Sequence, residues 1–453
     1  MTDPFFLPSG TEATARQRSA DLGEPGWLLA ERMDAIHRYE TLPPETNQLF
    51  TTYLDLRSAR FEEIEPYQQV SDAAEVDQAV PEGAAGLLHL REDRIVARGL
   101  SPEARAAGVV LDALSNVDRA LLPSVRALTE GGRTLPATDK FAQFARATAP
   151  VALFIHVPGG VQLTDPLVLR WSVGEPGRGL VSRTIVSLGA GASARLLEEQ
   201  GSSVGGSPQG GATGPDSRQS LWAGTMEVVL GEGATLEVAA EQNLGGQTVS
   251  LVNRHATIGQ DATLRWALAS VGSLLVKSRI DNELVGRGAT VNQVEIGFGG
   301  GSQLFDLTSY TRHKAPDTTG DLLSKGVFQD RARGYLKGLI QIERQARGTD
   351  SYLGEFAMLL AKKARSVAIP SLEIDQPDVR RASHSSSVGP IDESQVFYLM
   401  SRGLTRELAR KFITLGFLEP VVARIPLPAA QERLRRLLDE KWISEPVLAA
   451  EAA

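Results

Sequence analysis

At 453 residues, with 42% hydrophobic and 23% charged side chains, the chain has the balance of a globular protein and exceeds the ~100–200 residues of one ordinary domain. A formal charge of −8 and a pI near 5.5 argue against a nucleic-acid binder, and neither a basic-then-apolar leader nor a run of ~18 apolar residues is present, so no membrane span and a cytoplasmic location are expected. The lack of cysteine removes disulfides, catalytic thiols and thiolate metal ligands together, and the six histidines (His37, His89, His156, His255, His313 and His384) show no H-x-H or H-E-x-x-H spacing.

Residues 1–23 are polar and without period, which predicts a flexible arm. A helical and mixed N-terminal domain is expected over 24–150. Leu29, Met33 and Ile36 form one helical stripe that Pro43-Pro44 ends. LLHLREDRIVAR, residues 87–98, reads as a strand pair turning at Glu92-Asp93. The spacing of Val109, Leu111, Leu114, Val117 and Leu121 predicts helix over 102–129, and Thr138-Asp139 opens another helix carrying Phe141, Phe144 and Ala145.

After Pro150 short alternating segments with glycine punctuation predict β-structure. A repeat runs through it: Gly191-Ala192-Ser193-Ala194, Gly233-Ala234-Thr235-Leu236, Asp261-Ala262-Thr263-Leu264 and Gly288-Ala289-Thr290-Val291. The last two steps are 28 and 27 residues and the first is 42, with the excess in a Gly/Ser-rich stretch over 201–217 that reads as a surface insertion. A fixed period of short strands with small residues at the corners predicts a β-helix core over 151–388. A β-sandwich with coincidental turns is the competing reading.

From Gly389 a helical domain, 389–453, is expected. Asp392 with Gln395 resembles a capping box before Val396, Phe397, Leu399 and Met400, and Gly403 stands where a C-terminal glycine belongs. A second helix opens at Thr405, carries Leu408, Phe412 and Leu415, and is expected to end at Gly416; QERLRRLLDEKW forms a third. These short helices are expected to pack on the end of the β-helix and cover its strand edges.

The run from Asp306, DLTSYTRHKAPDTTGDLLSKGVFQDRARGYLKGLI, continues through SLEIDQPDVRRASHSSSVGPIDESQVFYLMSRGL to a basic helix and Phe417. It resembles the C-terminal half of the SufB/SufD family, scaffold proteins of the SUF iron–sulfur cluster machinery. Weaker resemblance covers residues 24–44 and 138–166. The resemblance implies a mainly β fold with a right-handed parallel β-helix core between the N-terminal mixed and C-terminal helical domains. Lack of cysteine makes the chain most similar to SufD.

Arg381-Ala382-Ser383-His384-Ser385-Ser386-Ser387-Val388-Gly389 resembles the S-H-G-A-T-V-G motif of SufD proteins, which places His384 at the cluster-assembly interface as a tentative metal ligand shared with a SufB-like subunit. Ser385-Ser386-Ser387 departs from the family's G-A-T. Ser351 stands near the point where the SufB-like paralogue carries its candidate cluster cysteine, and His313 lies in a segment like the family's H-x-A-P-x-T, which reads as a structural turn. The helical region of the family docks the SufC ATPase, which implies a docking surface of Phe397, Tyr398, Arg402, Leu408, Phe412 and Phe417.

The expected function is thus a non-catalytic SufD-like scaffold that pairs with a SufB-like paralogue and a SufC-type ABC ATPase. It would hold no cofactor stably by itself, and a transient iron–sulfur cluster would form at the shared interface. A homodimer is possible when the chain is isolated, since one sheet edge can pair with itself. The competing function is a β-helix polysaccharide lyase or hydrolase. Such an enzyme would need a line of Asp, Arg or Lys on consecutive coils, and the sequence shows none.

Overall fold

The computed structural model of the protein describes residues 12–68, 71–72, 80–203, 217–425 and 427–443. Most of the expected 201–217 insertion and residues 1–11 lie outside this set. Residues 12–21, expected within a flexible arm, form helix α1 (Glu12–Asp21). The helix is fixed because Ala15, Arg18 and Ser19 are buried, with the Arg18 guanidinium donating to the Thr148 carbonyl and to Gln68 Oε1.

Helix α2 (Gly26–Thr41) packs against a later helix, α6 (Lys140–Thr148), with α3 (Gln48–Thr51), α4 (Pro102–Ala106) and α5 (Leu122–Thr129) between them in sequence. Asp139 caps α6 through the Ala142 N–H, and Arg32 of α2 reaches the Ala147 and Ala149 carbonyls at its other end, both at 2.9 Å. Orphan carbonyls at a helix terminus are satisfied this way. The helix expected over 102–129 is broken. Gly108 turns at positive φ and Val110–Ala113 forms a strand, which leaves α-helix in α4 and α5 and short 3-10 turns at Leu114–Asn116 and Arg119–Leu121.

Five short strands precede the core: β1 (Glu65–Pro66), β2 (Ser71–Asp72), β3 (Gly86–Arg91), β4 (Arg94–Leu100) and β5 (Val110–Ala113). β3 and β4 are the expected antiparallel pair, turning through Glu92 at φ 53°. Among the described residues, sixteen strands of 7–11 residues follow. The first eight are β6 (Val151–Val157), β7 (Leu167–Val173), β8 (Arg178–Leu188), β9 (Ser193–Ser202), β10 (Ser220–Leu230), β11 (Thr235–Asn243), β12 (Thr248–Ile258) and β13 (Thr263–Ser270). The second eight are β14 (Leu275–Leu284), β15 (Thr290–Gly299), β16 (Leu304–His313), β17 (Thr319–Phe328), β18 (Arg333–Ile342), β19 (Asp350–Leu359), β20 (Arg365–Ile374) and β21 (Arg381–Pro390).

From β6 onward, even-numbered strands stack in one parallel sheet and odd-numbered strands from β7 in a second, so the chain alternates between two sheets and climbs by one strand per sheet in each coil. That is a parallel β-helix. Strands from before residue 150 extend the same two sheets: β5 runs antiparallel to β6, and β3 pairs parallel with β7 while β4 runs antiparallel beside it. The N-terminal end is thereby built over with further strands.

The repeated corner has a direct physical cause. Gly191, Gly233, Asp261, Gly288, Asp317 and Gly348 all adopt positive φ, the region that glycine and Asp or Asn tolerate best. Each corner N–H reaches the next coil: Gly191 to Glu232 O at 2.7 Å, Gly233 to Gln260 O at 2.8 Å, Asp261 to Arg287 O at 2.8 Å and Gly288 to Pro316 O at 3.1 Å. The alanine that follows, Ala192, Ala234, Ala262 and Ala289, points into the core and is fully buried. The glycine two residues before the turn is obligatory where coils touch; at Gly286 a Cβ would stand 1.9 Å from Gln260 N.

Inward side chains of the earlier coils build one core around Trp171, Trp222 and Trp266, with Trp222 Nε1 donating to Ser182 Oγ and Trp266 Nε1 to Asn282 Oδ1, each at 3.0 Å, and the later coils add separate apolar clusters around Phe305 and Leu353. The outer face of the even sheet is covered by the N-terminal helices. Tyr39, Phe141 and Phe144 pack there on Val181, Leu221, Val249 and Leu251. Beside this apolar contact, Arg183 lies between Glu227 and Glu31, and Arg279 between Asp281 and Asp139. Burial works against the Arg183 charge, but Glu227 and Glu31 outweigh it and hold its pKa above the ordinary arginine value.

Three helices follow among the described residues: α7 (Glu393–Ser401), α8 (Arg406–Val422) and α9 (Pro428–Ile443). The expectation that they cover the end of the β-helix is corrected. They fold back along the outer face of the odd sheet, where Val294, Ile296 and Phe298 of β15 and Leu323 and Val327 of β17 meet Val396, Leu418, Val421 and Leu434. These strands are buried on both faces, and their apolar outer rows need a cover. Arg433 of α9 pairs with Glu199 and Glu241, and Lys441 Nζ donates to Gln303 Oε1 at 2.8 Å. The second helix also runs past Gly416, its expected end, and includes Pro420; the residue four before that proline is Gly416 itself, the least bulky neighbour for the ring.

Candidate functional site

With the helices on the flank, the solenoid ends on β20 and β21. β20 pairs only with β18 and β21 only with β19 among the described residues, so each is a sheet edge. An edge strand carries a row of unpaired backbone groups. Pro370 sits within β20, a placement that strands tolerate at an edge. Ile374 is 44% exposed and Val388 37% exposed although both occupy inward positions, because no coil lies above them.

His384, within the expected β-helix core, lies in β21. It is opposite Leu353 of β19, and the register runs unbroken from Asp350↔Arg381 to Leu359↔Pro390. RASHSSSVGP has weak strand preference, so its conformation is set by the paired strand beneath it. Because Leu353 faces the core, the strand alternation puts Ala382, His384, Ser386 and Val388 on the same inward row. The imidazole is therefore part of the final interior layer, and it is exposed.

One layer deeper stands a residue that sequence reasoning passed over. Glu355 of β19 is opposite Ser386 and in phase with Leu353 and Ala357, so it also faces inward; it is 1% exposed. Gly338, across the interior on β18, leaves it room: a Cβ there would lie 2.7 Å from Glu355 Oε1. Burial pushes the carboxyl up to about 8, the Ile369 backbone N–H offsets part of this, and the charge of Glu295 adds to it. Its Oε2 is buried and lacks a hydrogen-bond partner among the described residues. The signal available in sequence was an acid at an inward position of SYLGEFAML.

His313 and Ser351 are brought together, but deep inside the coil stack. His313 Nδ1 is 2.8 Å from Thr318 Oγ1 and its Nε2 is 3.0 Å from Ser351 Oγ, all three residues being fully buried. Thr318 Oγ1 donates to Ala315 O at 3.2 Å, which closes the expected turn. Burial holds the His313 pKa down at about 4, so the ring is neutral and belongs to a corner network where earlier coils place alanine. Ser351 also donates to the Gly320 carbonyl at 3.3 Å.

On the flank, α7 and α8 present Phe397 (71% exposed), Tyr398 (57%), Leu408 (44%) and Phe412 (60%). Arg402 is exposed beside them with its guanidinium 5.2 Å from the centre of the Tyr398 ring. Asp392 caps α7 through the Ser394 N–H, Gly403 turns at φ 96°, Thr405 caps α8, and Arg406 joins Glu393 at 2.6 Å, so the hairpin holds its shape. Phe417 is placed differently from the other five. It is half-buried, with Lys325 Nζ 4.4 Å from its ring centre and 2.6 Å from its carbonyl oxygen, and so it fastens α8 to β17.

None of the described helices is long and apolar enough to cross a membrane. Comparison with known proteins agrees with the architecture. The family model "SUF system FeS cluster assembly, SufBD core domain" matches residues 171–417. The chain is 26% identical over 447 residues to an iron–sulfur cluster assembly SufBD family protein of Staphylococcus saprophyticus, covering 94% of this chain and 91% of the relative. A protein so described from Staphylococcus haemolyticus is likewise 26% identical, and one from Staphylococcus aureus 25%, with the same coverage. The match spans the solenoid from within β7 through its last coil and into α8, and on that ground the chain belongs to the SufBD family of the SUF iron–sulfur cluster assembly system.

Proposed function

We propose that this chain is a non-catalytic, SufD-like scaffold subunit of a cytoplasmic SUF complex. Its open solenoid end pairs with a SufB-like paralogue, and its α7–α8 hairpin docks a SufC-type ATPase. The observation that carries this reading is the end layer itself. Two unpaired edges, β20 and β21, frame the exposed interior side chains Ile374, Val388 and His384. Backbone edges and apolar surface of this kind are satisfied by strands of another chain.

The cysteine-free sequence supports the division of labour. A single imidazole holds iron poorly by itself, whereas two histidines can replace two thiolates on one iron of a [2Fe–2S] centre. A cluster in assembly at His384 would therefore take its thiolates from the partner. The exposed aromatic hairpin on the flank supports the ATPase assignment, since apolar anchors ringed by charge suit a binding surface. ATP-driven movement of the docked subunits would then shift the population between closed and open forms of the paired ends.

Co-expression with the SufB-like and SufC-type subunits of the same genome tests the reading by pull-down and iron analysis. Ile374→Asp is expected to lose the SufB-like partner while the chain stays folded. His384→Ala is expected to keep the complex and lose cluster formation, and normal cluster yield from that variant would refute the role of His384. Isolated chain is expected to pair through the same edges as a homodimer, which Ile374→Asp would convert to monomer in sedimentation.

A further inference from the structure

The layer below His384 contains a group that pairing alone does not require. In the odd sheet, Glu295, Ser324, Glu355 and Ser386 are consecutive members of one register row on β15, β17, β19 and β21. All four sit at inward positions, and the row reaches the open end at Ser386. A buried carboxyl without full hydrogen bonding costs stability, and an apolar side chain of that volume would be the stable choice in a core. Yet Glu355 and Glu295 each leave a buried Oε2 without a hydrogen-bond partner among the described residues. Gly338 keeps clear the space into which the Glu355 carboxyl extends.

We propose that Glu355 is an interior oxygen ligand for divalent iron at the His384 layer, which the metal enters past the small Ser386 side chain. This rests on the reading that the end layer is the cluster-assembly interface. Register places His384 and Glu355 as diagonal neighbours on adjacent strands, facing the same way, with Cα atoms ~7–8 Å apart, so an imidazole nitrogen and a carboxylate oxygen can reach one ion between them. Imidazole and carboxylate both suit ferrous iron. Among the described residues no three His, Asp or Glu side chains converge as a complete metal site, so the other coordination positions are left to water, sulfide or the partner.

The binding step is a metal-for-proton exchange without redox change. Glu355 is held in the protonated form near pH 7, since burial pushes it up to about 8. The entering Fe²⁺ forms a bond to Oε2, the carboxyl O–H bond breaks, and the proton leaves to solvent. Iron binding at this site therefore releases one proton per ion and strengthens as pH rises through 8.

Anaerobic titration of the full-length chain with Fe²⁺ alone, read by competition with a chromophoric chelator and by proton release in weak buffer at pH 7, tests the inference. Wild type is expected to bind one ion with release of about one proton. Glu355→Gln, equal in volume, is expected to weaken binding about tenfold or more and to abolish the proton release. Glu295→Gln, two coils deeper, is expected to stay within about twofold of wild type. Absence of binding by wild type, unchanged affinity in Glu355→Gln, or equal loss in both variants would overturn it. The assembly role of His384 is judged separately by cluster yield, so failure of one reading is distinguishable from failure of the other.

Discussion

Phe412 gives the strongest quantitative test of the flank. It is 60% exposed on α8, one turn beyond Leu408. A phenylalanine presents ~200 Å² of surface, so docking that covers this side chain removes about 120 Å² from water. At ~25 cal/mol per Å² the burial contributes about 3 kcal/mol, and Phe412→Ala should raise the Kd for the SufC-type ATPase about a hundredfold. Because the ring already faces solvent in the free chain, its truncation should leave thermal stability within about 0.5 kcal/mol. Calorimetric titration of wild-type and variant chains with the purified ATPase, with melting curves run in parallel, measures both. A Kd within about threefold of wild type, with the variant folded, would refute the placement of the docking surface on this hairpin.

Gly286→Ala should disrupt the coil corner, since the new Cβ would meet the Gln260 backbone nitrogen at 1.9 Å and neither coil can yield; loss of more than about 3 kcal/mol, seen as a lower melting temperature or loss of soluble protein, is expected. Glu355→Gln should alter the pH dependence of stability. The folded state holds the Glu355 proton to about pH 8 whereas the unfolded chain releases it near 4.5, so wild type loses stability as pH rises between those values and Gln, which cannot ionise, does not. Melting curves from pH 5 to 9 should show the variant gaining on wild type through pH 8, and parallel curves would count against a buried protonated acid.

The β-helix was legible because its corners obey a local rule. Positive φ at Gly191, Gly233, Asp261 and Gly288 demands Gly or Asp, and the inward Ala that follows demands a small side chain, so the period is written in residue types. The helix expected over 102–129 failed for the opposite reason: the apolar spacing there is compatible with helix, but Val110–Ala113 finds an antiparallel partner in β6, and tertiary pairing overrides local preference. His384 stands out in the sequence through its motif, but its place in a strand was hidden in a serine-rich segment that takes its conformation from β19. The flank packing had a signal in VNQVEIGFG, where Val294, Ile296 and Phe298 face outward and need a cover, but which cover is a long-range matter that spacing does not encode.

The three C-terminal helices are anchored along the flank of the stack, from β9 and β11 to the turn after β19, where Arg410 donates to the Leu360 carbonyl, and not over the open end. Arg433 grips Glu199 on β9 and Glu241 on β11, Lys441 reaches Gln303 before β16, and Lys325 holds α8 to β17. A load on the hairpin is thus spread over the middle of a close-packed stack. Such a body turns as one piece, like an oar worked from its shaft, and the farthest blade sweeps through the largest arc. A displacement at the hairpin would be carried to the free rim with no need to peel away any coil.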